Sequence, residues 1–396
     1  MSAMMSEPFS AVVAGHICLD IIPEIVDAEH ERFLTRLEPG RLVEIGPAAF
    51  SAGGPVSNTG LALHKLGVPT RLMGKIGADS FGRIIREIVS GVSPELARGM
   101  IVNNASSTSY SLIISPPGVD RIFLHSPGAN HTFCAADVDY ELAARADVFH
   151  FGYPPVMRRM YENGGREMAE MFARVKAASV LTSLDMAFPD PSSPAGKADW
   201  GAIFQAVLPS VDIFLPSIEE LLFCIDRPLH NRLAGRDGKL LERVTPALLH
   251  DASAELLAMG VKIVVLKLGE RGFYLRTADA DVIRGLGHGI DGDAWGRREL
   301  WAPCFQVNVV GTTGSGDATI AGFLAALLRG LPPIESVTMA VAVGACNVEA
   351  SDALSGLRSW EETRARIASG WPHRALALAA SRWDWDPDHQ LWIGPA

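Results

Sequence analysis

Alternating strand and helix patterns constrain the fold of this chain more than any other feature of its sequence. From residue 137 onward, short apolar runs typical of buried strands are followed by segments with apolar residues at helical spacing. The strand patterns cover 148–152, 179–186, 213–216 and 262–268, and the helix patterns cover 157–177, 200–207, 218–224 and 244–259. Strands that alternate with helices pair in parallel, and the helices cover both faces of the sheet. The sequence therefore predicts an α/β fold with a mainly parallel central sheet.

A glycine-rich turn between two regular patterns is the strongest functional signal. Residues 311–317 (GTTGSGD) follow an alternating apolar run at 305–310, which we predict to be a strand, and lead into a predicted helix at 318–329. The first amides of a helix have no partner within it and carry partial positive charge, and glycines let an anion approach the backbone. The segment therefore predicts an anion site.

The residue that ends this turn indicates the chemistry of the site. Gly311 and Gly316 have the glycine spacing of a phosphate-binding P-loop, but Asp317 stands where such a loop has its lysine. A carboxylate there suits a base that takes a proton from an attacking hydroxyl, while the amides of Gly314, Ser315 and Gly316 receive a phosphoryl group. A helix cap in an ordinary glycine turn is the alternative interpretation of Asp317.

Polar residues near the beginning of the chain form a second group of candidates. Asp20 closes a strand pattern that starts at residue 11, and ligands of open α/β sheets bind where strands end. A solvated turn residue is the alternative for Asp20. Gly53 and Gly54 allow close backbone approach, and Asn58 offers a donor and an acceptor near a helix start. This arrangement suits a hydroxyl-rich ligand, and a capping Asn in a plain turn explains it equally well.

Two later turns each support two interpretations. Glu220 lies three residues after Ser217 at the start of a helix, where it either completes a capping box or points toward phosphates through Mg²⁺. Residues 267–272 (KLGERG) combine a strand end with a glycine turn, which suits either the wall of a nucleotide site or a simple hairpin.

A second, smaller sheet is predicted from alternating segments outside the main pattern. Two such segments between residues 107 and 125 flank a hairpin signature at 116–118 (PPG), and a third lies at 41–45. We predict a lid built from inserted segments at approximately 21–50 and 101–130, which would exclude water from the site. Its open edges and apolar surface favour a homodimer formed through the lid.

Composition and charge exclude several classes of partner. The net charge is −10 and the chain has no cluster of Lys and Arg, which argues against nucleic acid and anionic membranes as partners. The apolar runs are too short to span a bilayer. Five scattered cysteines without a C-x-x-C pair indicate reduced side chains, so we expect a soluble cytoplasmic protein.

Taken together, these motifs resemble those of the ribokinase-like (PfkB) carbohydrate kinases. The resemblance runs from about residue 12 to residue 356, and its motifs are 53–58 (GGPVSN), 74–82 (GKIGADSFG), 121–130 (RIFLHSPGAN) and 312–317 (TTGSGD). It implies a three-layer α/β/α sandwich with a β-sheet lid in one domain, 1–396, and it leaves 371–396 as a C-terminal extension of unknown role. It also implies transfer of the γ-phosphoryl group of ATP, with Mg²⁺, to a hydroxyl of a sugar-like substrate.

The same resemblance implies roles for individual residues. It makes Asp317 the catalytic base and the Gly314–Gly316 amides the anion hole. The remaining implied roles are substrate binding for Asp20, Gly53, Gly54 and Asn58, metal binding for Glu220, and nucleotide binding for Lys267, Gly269, Gly272, Thr312 and Asn347.

Three positions depart from the family pattern. Gly311 stands where most members carry an Asp associated with a monovalent-cation loop, which argues against potassium activation. Ser217 replaces the Asn of the family's N-x-x-E element, and Pro55 replaces the Lys of ribokinases in the narrow sense. Gly311 and Ser217 therefore leave a catalytically idle sugar- or nucleotide-binding regulator as an alternative. A nucleoside kinase of the same fold is the other alternative, and it would need aromatic side chains near the lid that stack on a base, for which the candidates are Phe33, Phe50, Tyr110 and Phe123.

Overall fold

A computed structural model describes residues 10–25, 38–115, 122–378 and 380–395. The strands in these ranges are β1 Ala11–Gly15, β2 Cys18–Pro23, β3 Ala48–Gly53, β4 Thr70–Gly77, β5 Ile101–Asn103, β6 Tyr110–Ile114, β7 Ile122–Ser126, β8 Val148–Gly152, β9 Leu181–Leu184, β10 Ile213–Phe214, β11 Ile263–Lys267, β12 Phe273–Thr277, β13 Glu299–Ala302, β14 Asp384–Asp386 and β15 Leu391–Ile393. The α-helices are Pro55–Lys65, Ser80–Val92, Tyr140–Ala143, Arg158–Tyr161, Arg166–Ala177, Trp200–Val207, Ile218–Ile225, Arg227–Ala234, Pro246–Ala258, Ala280–Arg284, Gly292–Trp295, Ser315–Leu328, Pro333–Asn347 and Trp360–Ala368. Within the described ranges, no helix has the length and apolar character needed to cross a membrane.

The larger sheet has the order β14-β15-β13-β12-β11-β10-β9-β8-β1-β4-β5. From β11 to β5 every neighbouring pair is parallel, whereas the pairs from β11 to β14 are antiparallel. The chain leaves β1 for β4 on one side and later returns to β8 on the other. This reversal beside β1 is the place where open α/β sheets form a ligand crevice.

Two apolar cores, one on each face of the larger sheet, make the fold a three-layer sandwich. Successive residues of a strand point to opposite faces, so Val13 joins one core and Val12 the other, as do Val265 and Val264. The helices Ser315–Leu328 and Pro333–Asn347 cover the first face. This architecture confirms the predicted α/β/α sandwich with a mainly parallel sheet.

A separate sheet of order β3-β2-β6-β7 forms the lid. β6 and β7 pair antiparallel, as the hairpin signature predicted, although residues 116–118 lie outside the described residues. The segment 41–45 is not a strand, because the six residues of Ala48–Gly53 already pair with the whole of β2. Ile101–Asn103, also placed in the lid by the prediction, pairs with β4 in the larger sheet.

The strand predicted at 305–310 is absent, and the reason lies in the C-terminal segment. The free edge of β13 is occupied by β15, so the 305–310 segment has no place in the sheet. Phe305 instead makes an isolated bridge to His373 and stacks on that ring and on Trp371, while Val310 is 57% exposed. The C-terminal extension is therefore an integral part of the larger sheet.

Candidate functional site

Asp317 lies at the centre of the candidate site, in the first turn of the helix Ser315–Leu328, and is only 2% exposed. Its carboxylate accepts hydrogen bonds from Asn58 Nδ2 at 2.9 Å, from the Tyr153 hydroxyl at 3.0 and 3.1 Å, and from Thr59 Oγ1 at 3.3 Å. Burial raises the pKa of Asp317, and the hydrogen bonds from Asn58 and Tyr153 act in the opposite direction. The side chain does not cap its helix, so the cap interpretation was wrong.

Tyr153 and Thr59 were not among the predicted site residues. Tyr153 directly follows β8 and has a φ of 65°, a left-handed conformation that is uncommon for a residue with a side chain. That conformation accompanies a hydroxyl group directed at Asp317. The position of Tyr153 after a buried strand was a usable signal in the sequence, but its partner lies 164 residues away.

The glycine turn forms the predicted helix start. Gly314 precedes the helix with a φ of 69°, and a Cβ at this position would lie 2.6 Å from Ala353 Cβ, so no other residue fits without strain. The Ser315 amide donates to the Thr312 carbonyl at 3.3 Å. Gly316 faces Lys267, since a Cβ built on it would lie 3.6 Å from Lys267 Nζ. A cation therefore stands beside the first amides of this helix.

Lys267 lies in a buried cluster with more acid than base. Its Nζ is 2.6 Å from Asp185 Oδ1 and 4.0 Å from Glu220 Oε2. Burial lowers the pKa of Lys267, but the carboxylates of Asp185 and Glu220 raise it more, so the net shift is upward. Burial raises the pKa of Asp185, which Lys267 partly offsets. Together with Asp317, three carboxyl groups face one ammonium group.

This cluster fits a divalent cation. Asp185 is fully buried, and its Oδ2 has no hydrogen-bond partner among the residues that the structure describes. Mg²⁺ prefers carboxylate oxygens and takes one or two of them from a protein. Glu220 Oε2 also accepts a hydrogen bond from the Ser217 amide and completes the capping box, which confirms the cap interpretation of Glu220. The other carboxylate oxygen, Oε1, is then available to a cation. Asp185, which directly follows β9, was missed by the sequence analysis.

A cavity of about 260 Å³ adjoins the glycine turn. Its lining includes four of the predicted nucleotide residues, Lys267, Gly269, Gly272 and Thr312. Gly269 and Gly272 also belong to the hairpin between β11 and β12, so the hairpin interpretation is confirmed, whereas the nucleotide wall stays a prediction. Arg374 of the C-terminal extension joins the lining and pairs with Glu270 at 2.9 Å.

Packing around the glycine turn determines the surroundings of Asn347, which the resemblance assigned to the nucleotide, and of Gly311, which departs from the family pattern. Asn347 does not line the cavity, because its fully buried side chain donates from Nδ2 to the Ala353 carbonyl at 2.6 Å. This contact orders the loop behind the glycine turn. A Cβ on Gly311 would lie 2.9 Å from the Ala350 carbonyl oxygen, which leaves little room for the Asp that the family pattern implies at this position.

Asp20 reaches the site from the lid. It lies within β2 rather than at the end of a strand of the larger sheet, because Asn130 hydrogen-bonds both the amide and the carbonyl of Ile17 and turns the chain outward. A Cβ on Gly53 would lie 2.2 Å from Asp20 Oδ2, so glycine is required for this approach. Burial raises the pKa of Asp20 to about 6. Gly54, the next residue, precedes the helix that carries Asn58.

Comparison with known proteins gives a consistent picture. Residues 13–360 match the family described as pfkB family carbohydrate kinase. Fructokinase-2 of Oryza sativa subsp. japonica is 24% identical over 327 residues, which cover 82% of this chain and 81% of that protein.

Solved structures share the fold. The structure of Arabidopsis thaliana ribokinase complexed with ribose and ATP has a TM-score of 0.66 at 21% identity, covering 90% of this chain and 98% of that one. The Methanocaldococcus jannaschii nucleoside kinase, an archaeal member of the ribokinase family, has a TM-score of 0.61 at 16% identity, covering 91% and 99%. Because the family match spans most of the sequence, the protein belongs to the pfkB family of carbohydrate kinases, which are ATP-dependent sugar kinases.

Proposed function

We propose that this protein transfers the γ-phosphoryl group of ATP to a hydroxyl of a sugar or sugar-like substrate, with Asp317 as the base. The observation that carries the proposal is the position of Asp317, buried at a helix start and hydrogen-bonded to Asn58 of the candidate substrate side. In this mechanism Asp317 accepts the hydroxyl proton as the oxygen bonds to the γ-phosphorus. The bond from that phosphorus to the bridging oxygen breaks, and ADP leaves.

The charge of the transferring group is met by groups at the start of the Ser315–Leu328 helix. In this proposal the amides of the Gly314–Gly316 turn form the anion hole, for which the Ser315 amide exchanges its 3.3 Å hydrogen bond to the Thr312 carbonyl for one to the phosphoryl group. Lys267 lies beside these amides. Asp20, Gly53, Gly54 and Asn58 hold the acceptor in reach of Asp317, and the lid excludes water. The cavity beside Gly269 and Gly272 receives the nucleotide.

Asp185 and Glu220 are the residues that would hold Mg²⁺. The ion, when bound, neutralises phosphate charge. The variant Glu220→Gln removes the negative charge of this side chain. It keeps the capping geometry, because Gln also serves in a capping box. We expect the Mg²⁺ concentration for half-maximal turnover to rise at least about tenfold, the low end for groups that support a metal.

Glu219→Gln is the matched control for this prediction, because it removes the same charge from the neighbouring position of the same helix. The measurement is ATP turnover against free Mg²⁺ at fixed ATP. Equal Mg²⁺ requirements in the Glu220 variant and the unmodified protein would remove Glu220 from the metal site.

The ionisation of Asp20 predicts a pH dependence of substrate binding. The pKa of Asp20 lies at about 6 because of burial, so the carboxylate that accepts sugar hydroxyls is present above that pH and lost below it. We expect the sugar dissociation constant to be constant above pH 7 and to rise by about tenfold per unit well below the pKa. Calorimetric titration without ATP measures it.

Nearby histidines also titrate, and a variant separates them from Asp20. Burial lowers the pKa of both His125 and His131 below the usual value. Asp20→Asn should bind the sugar more weakly at neutral pH but without the acidic loss. If the same acidic loss persists in that variant, Asp20 is not its cause.

A turnover screen of sugars, sugar acids, polyols and nucleosides with ATP tests the proposed function. We expect sugar turnover, as the similarity to a fructokinase and a ribokinase suggests. The alternative is a nucleoside kinase, favoured by the M. jannaschii structure and by the half-exposed Phe123, which shares a face of the lid with His125. Phe50 pairs with Ile21 and therefore lies on the face opposite Asp20. Tyr110, a third aromatic residue named for base stacking, packs on Phe81, and Phe33 lies outside the described residues. No ATP consumption with any compound would leave a non-catalytic regulator.

We also propose that a second copy of the chain covers the outer lid. Phe50 and Leu124 lie in one row across the sheet, on the face opposite Asp20 and His125, and each is at least half exposed, which is unusual for large apolar side chains on a small sheet. Sedimentation of the full chain should give twice its mass of 42.4 kDa. A monomeric mass at micromolar concentration contradicts this proposal.

A further inference from the structure

A cluster of two histidines and one cysteine lies where the lid meets the main body. His16 directly follows β1, Cys18 begins β2, and His125 lies on β7. Their metal-ligating atoms all lie within 4.8 Å of one another. The mechanism proposed above uses none of these three side chains.

His16 carries the clearest sign of a missing partner. The side chain is 4% exposed, and neither ring nitrogen has a hydrogen-bond partner among the residues of the described ranges. A buried imidazole without a partner loses the hydrogen bonds that it makes in water. Its ring centroid is 5.2 Å from that of His125, and the two planes are tilted by 50°. His16 is therefore directed at the cluster and left unsatisfied in it.

Strand register in the lid explains why the other two ligands face His16. Asp20 pairs with Ser111, and Ser111 pairs with His125, so these three residues form a row across neighbouring strands. Cys18 is two residues before Asp20 and therefore shares its face of the sheet. Ser111 Oγ is 3.0 Å from His125 Nδ1, which orients the ring and leaves Nε2 for a ligand.

We propose that His16, Cys18 and His125 form a binding site for Zn²⁺ or a similar soft divalent ion. Imidazole and thiolate are the ligand types that Zn²⁺ selects, and three protein ligands with an open fourth position form a common zinc site. Tetrahedral Zn²⁺ places such ligand atoms about 3.4–3.6 Å apart, so movements of about 1 Å close the present cluster on the ion. On binding, a zinc–sulfur bond forms and the thiol proton leaves to solvent.

The location gives the ion a consequence for the lid. A metal bound by His16 of the main body and His125 of the lid cross-links the two parts of the fold. Cys18 Sγ is 3.3 Å from Asp20 Oδ1, so the ion lies beside the carboxylate that we assign to the sugar. Zn²⁺ should therefore hold the lid and compete with the sugar. This consequence rests on the proposed function, whereas the metal site itself does not.

Titration of the full chain with Co²⁺, without ATP or sugar, tests the site. Co²⁺ replaces Zn²⁺ in such sites, and a cobalt–thiolate bond gives an intense charge-transfer absorption in the near ultraviolet. We expect this band in the unmodified protein, its displacement by Zn²⁺, and its loss in Cys18→Ser. The matched control Cys224→Ser should keep the band, because Cys224 lies on the Ile218–Ile225 helix, away from the lid.

Two histidine variants provide the second test, since Cys18 is buried and its variant can fold poorly. His125 lies on the exposed strand β7, and His125→Gln should weaken Co²⁺ binding at least about tenfold. His131→Gln, which changes a neighbouring histidine outside the cluster, should leave the affinity unchanged. A protein without the thiolate band, or with the same band in Cys18→Ser, overturns the proposal.

Discussion

Asp317→Asn is expected to slow phosphoryl transfer at least about a hundredfold, which is the low end of the effect of losing a positioned base. The amide keeps the size of the carboxyl group and accepts a hydrogen bond, but it cannot take the hydroxyl proton. Asp317 lies in the first turn of its helix and contacts Asn58, Thr59 and Tyr153. Because an Asn of the same size fits among these neighbours, the sugar affinity should change much less than the rate. Initial rates at saturating sugar and ATP measure the effect, with circular dichroism to verify folding.

Tyr153→Phe is the graded companion to that variant. It removes one donor to Asp317 and leaves those from Asn58 and Thr59. The hydrogen bond from Tyr153 lowers the pKa of Asp317, so its loss should raise that pKa further. The acidic limb of the rate profile should then move to higher pH, an effect that a purely structural defect does not produce. Full turnover in Asp317→Asn would remove Asp317 from the mechanism.

Lys267→Met is expected to lower the free energy of unfolding by about 3–5 kcal/mol, which is the usual effect of removing one partner from a buried ion pair. Asp185 is fully buried and Lys267 only 14% exposed, at a separation of 2.6 Å. Removing the ammonium group leaves the Asp185 carboxylate without its counter-charge in a low-dielectric environment. Urea unfolding followed by fluorescence measures the loss.

A double-variant cycle separates the pair from its surroundings. Lys267→Met combined with Asp185→Asn should recover much of the lost stability, since no buried charge then remains unpaired. Arg374→Met provides the contrast, because its pair with Glu270 is about half exposed and should contribute less than about 1 kcal/mol. A loss of less than about 1 kcal/mol in Lys267→Met would contradict a charged Asp185 carboxylate in the folded protein.

The excess of carboxyl groups around Lys267 bears on both stability and function. Three carboxyl groups around one lysine form a poor structural ion pair but a good site for a cation and phosphates. A chain selected only for stability has no physical reason to keep Asp185 Oδ2 buried and without a partner among the described residues. This arrangement supports the proposal that the cluster holds a cation beside the phosphates.

The sequence alone determined the features that depend on short-range patterns. Helical and strand periodicity gave the alternation of elements, and the glycine turn gave the helix that starts at Ser315, three residues earlier than the apolar pattern suggested. The ordered motifs gave the family. These features are encoded locally, because backbone hydrogen bonds in a helix join residues four apart and strand faces alternate every second residue.

Only the tertiary structure decided which distant side chains meet. Asn58 and Asp317 are 259 residues apart in the chain, and Lys267 and Asp185 are 82 apart, yet each pair is hydrogen-bonded. It also decided that β15 takes the sheet edge that the 305–310 segment was predicted to join. Such contacts arise from packing of the whole sheet, in which strands compete for the same neighbours. No periodic pattern within a segment records the outcome of that competition.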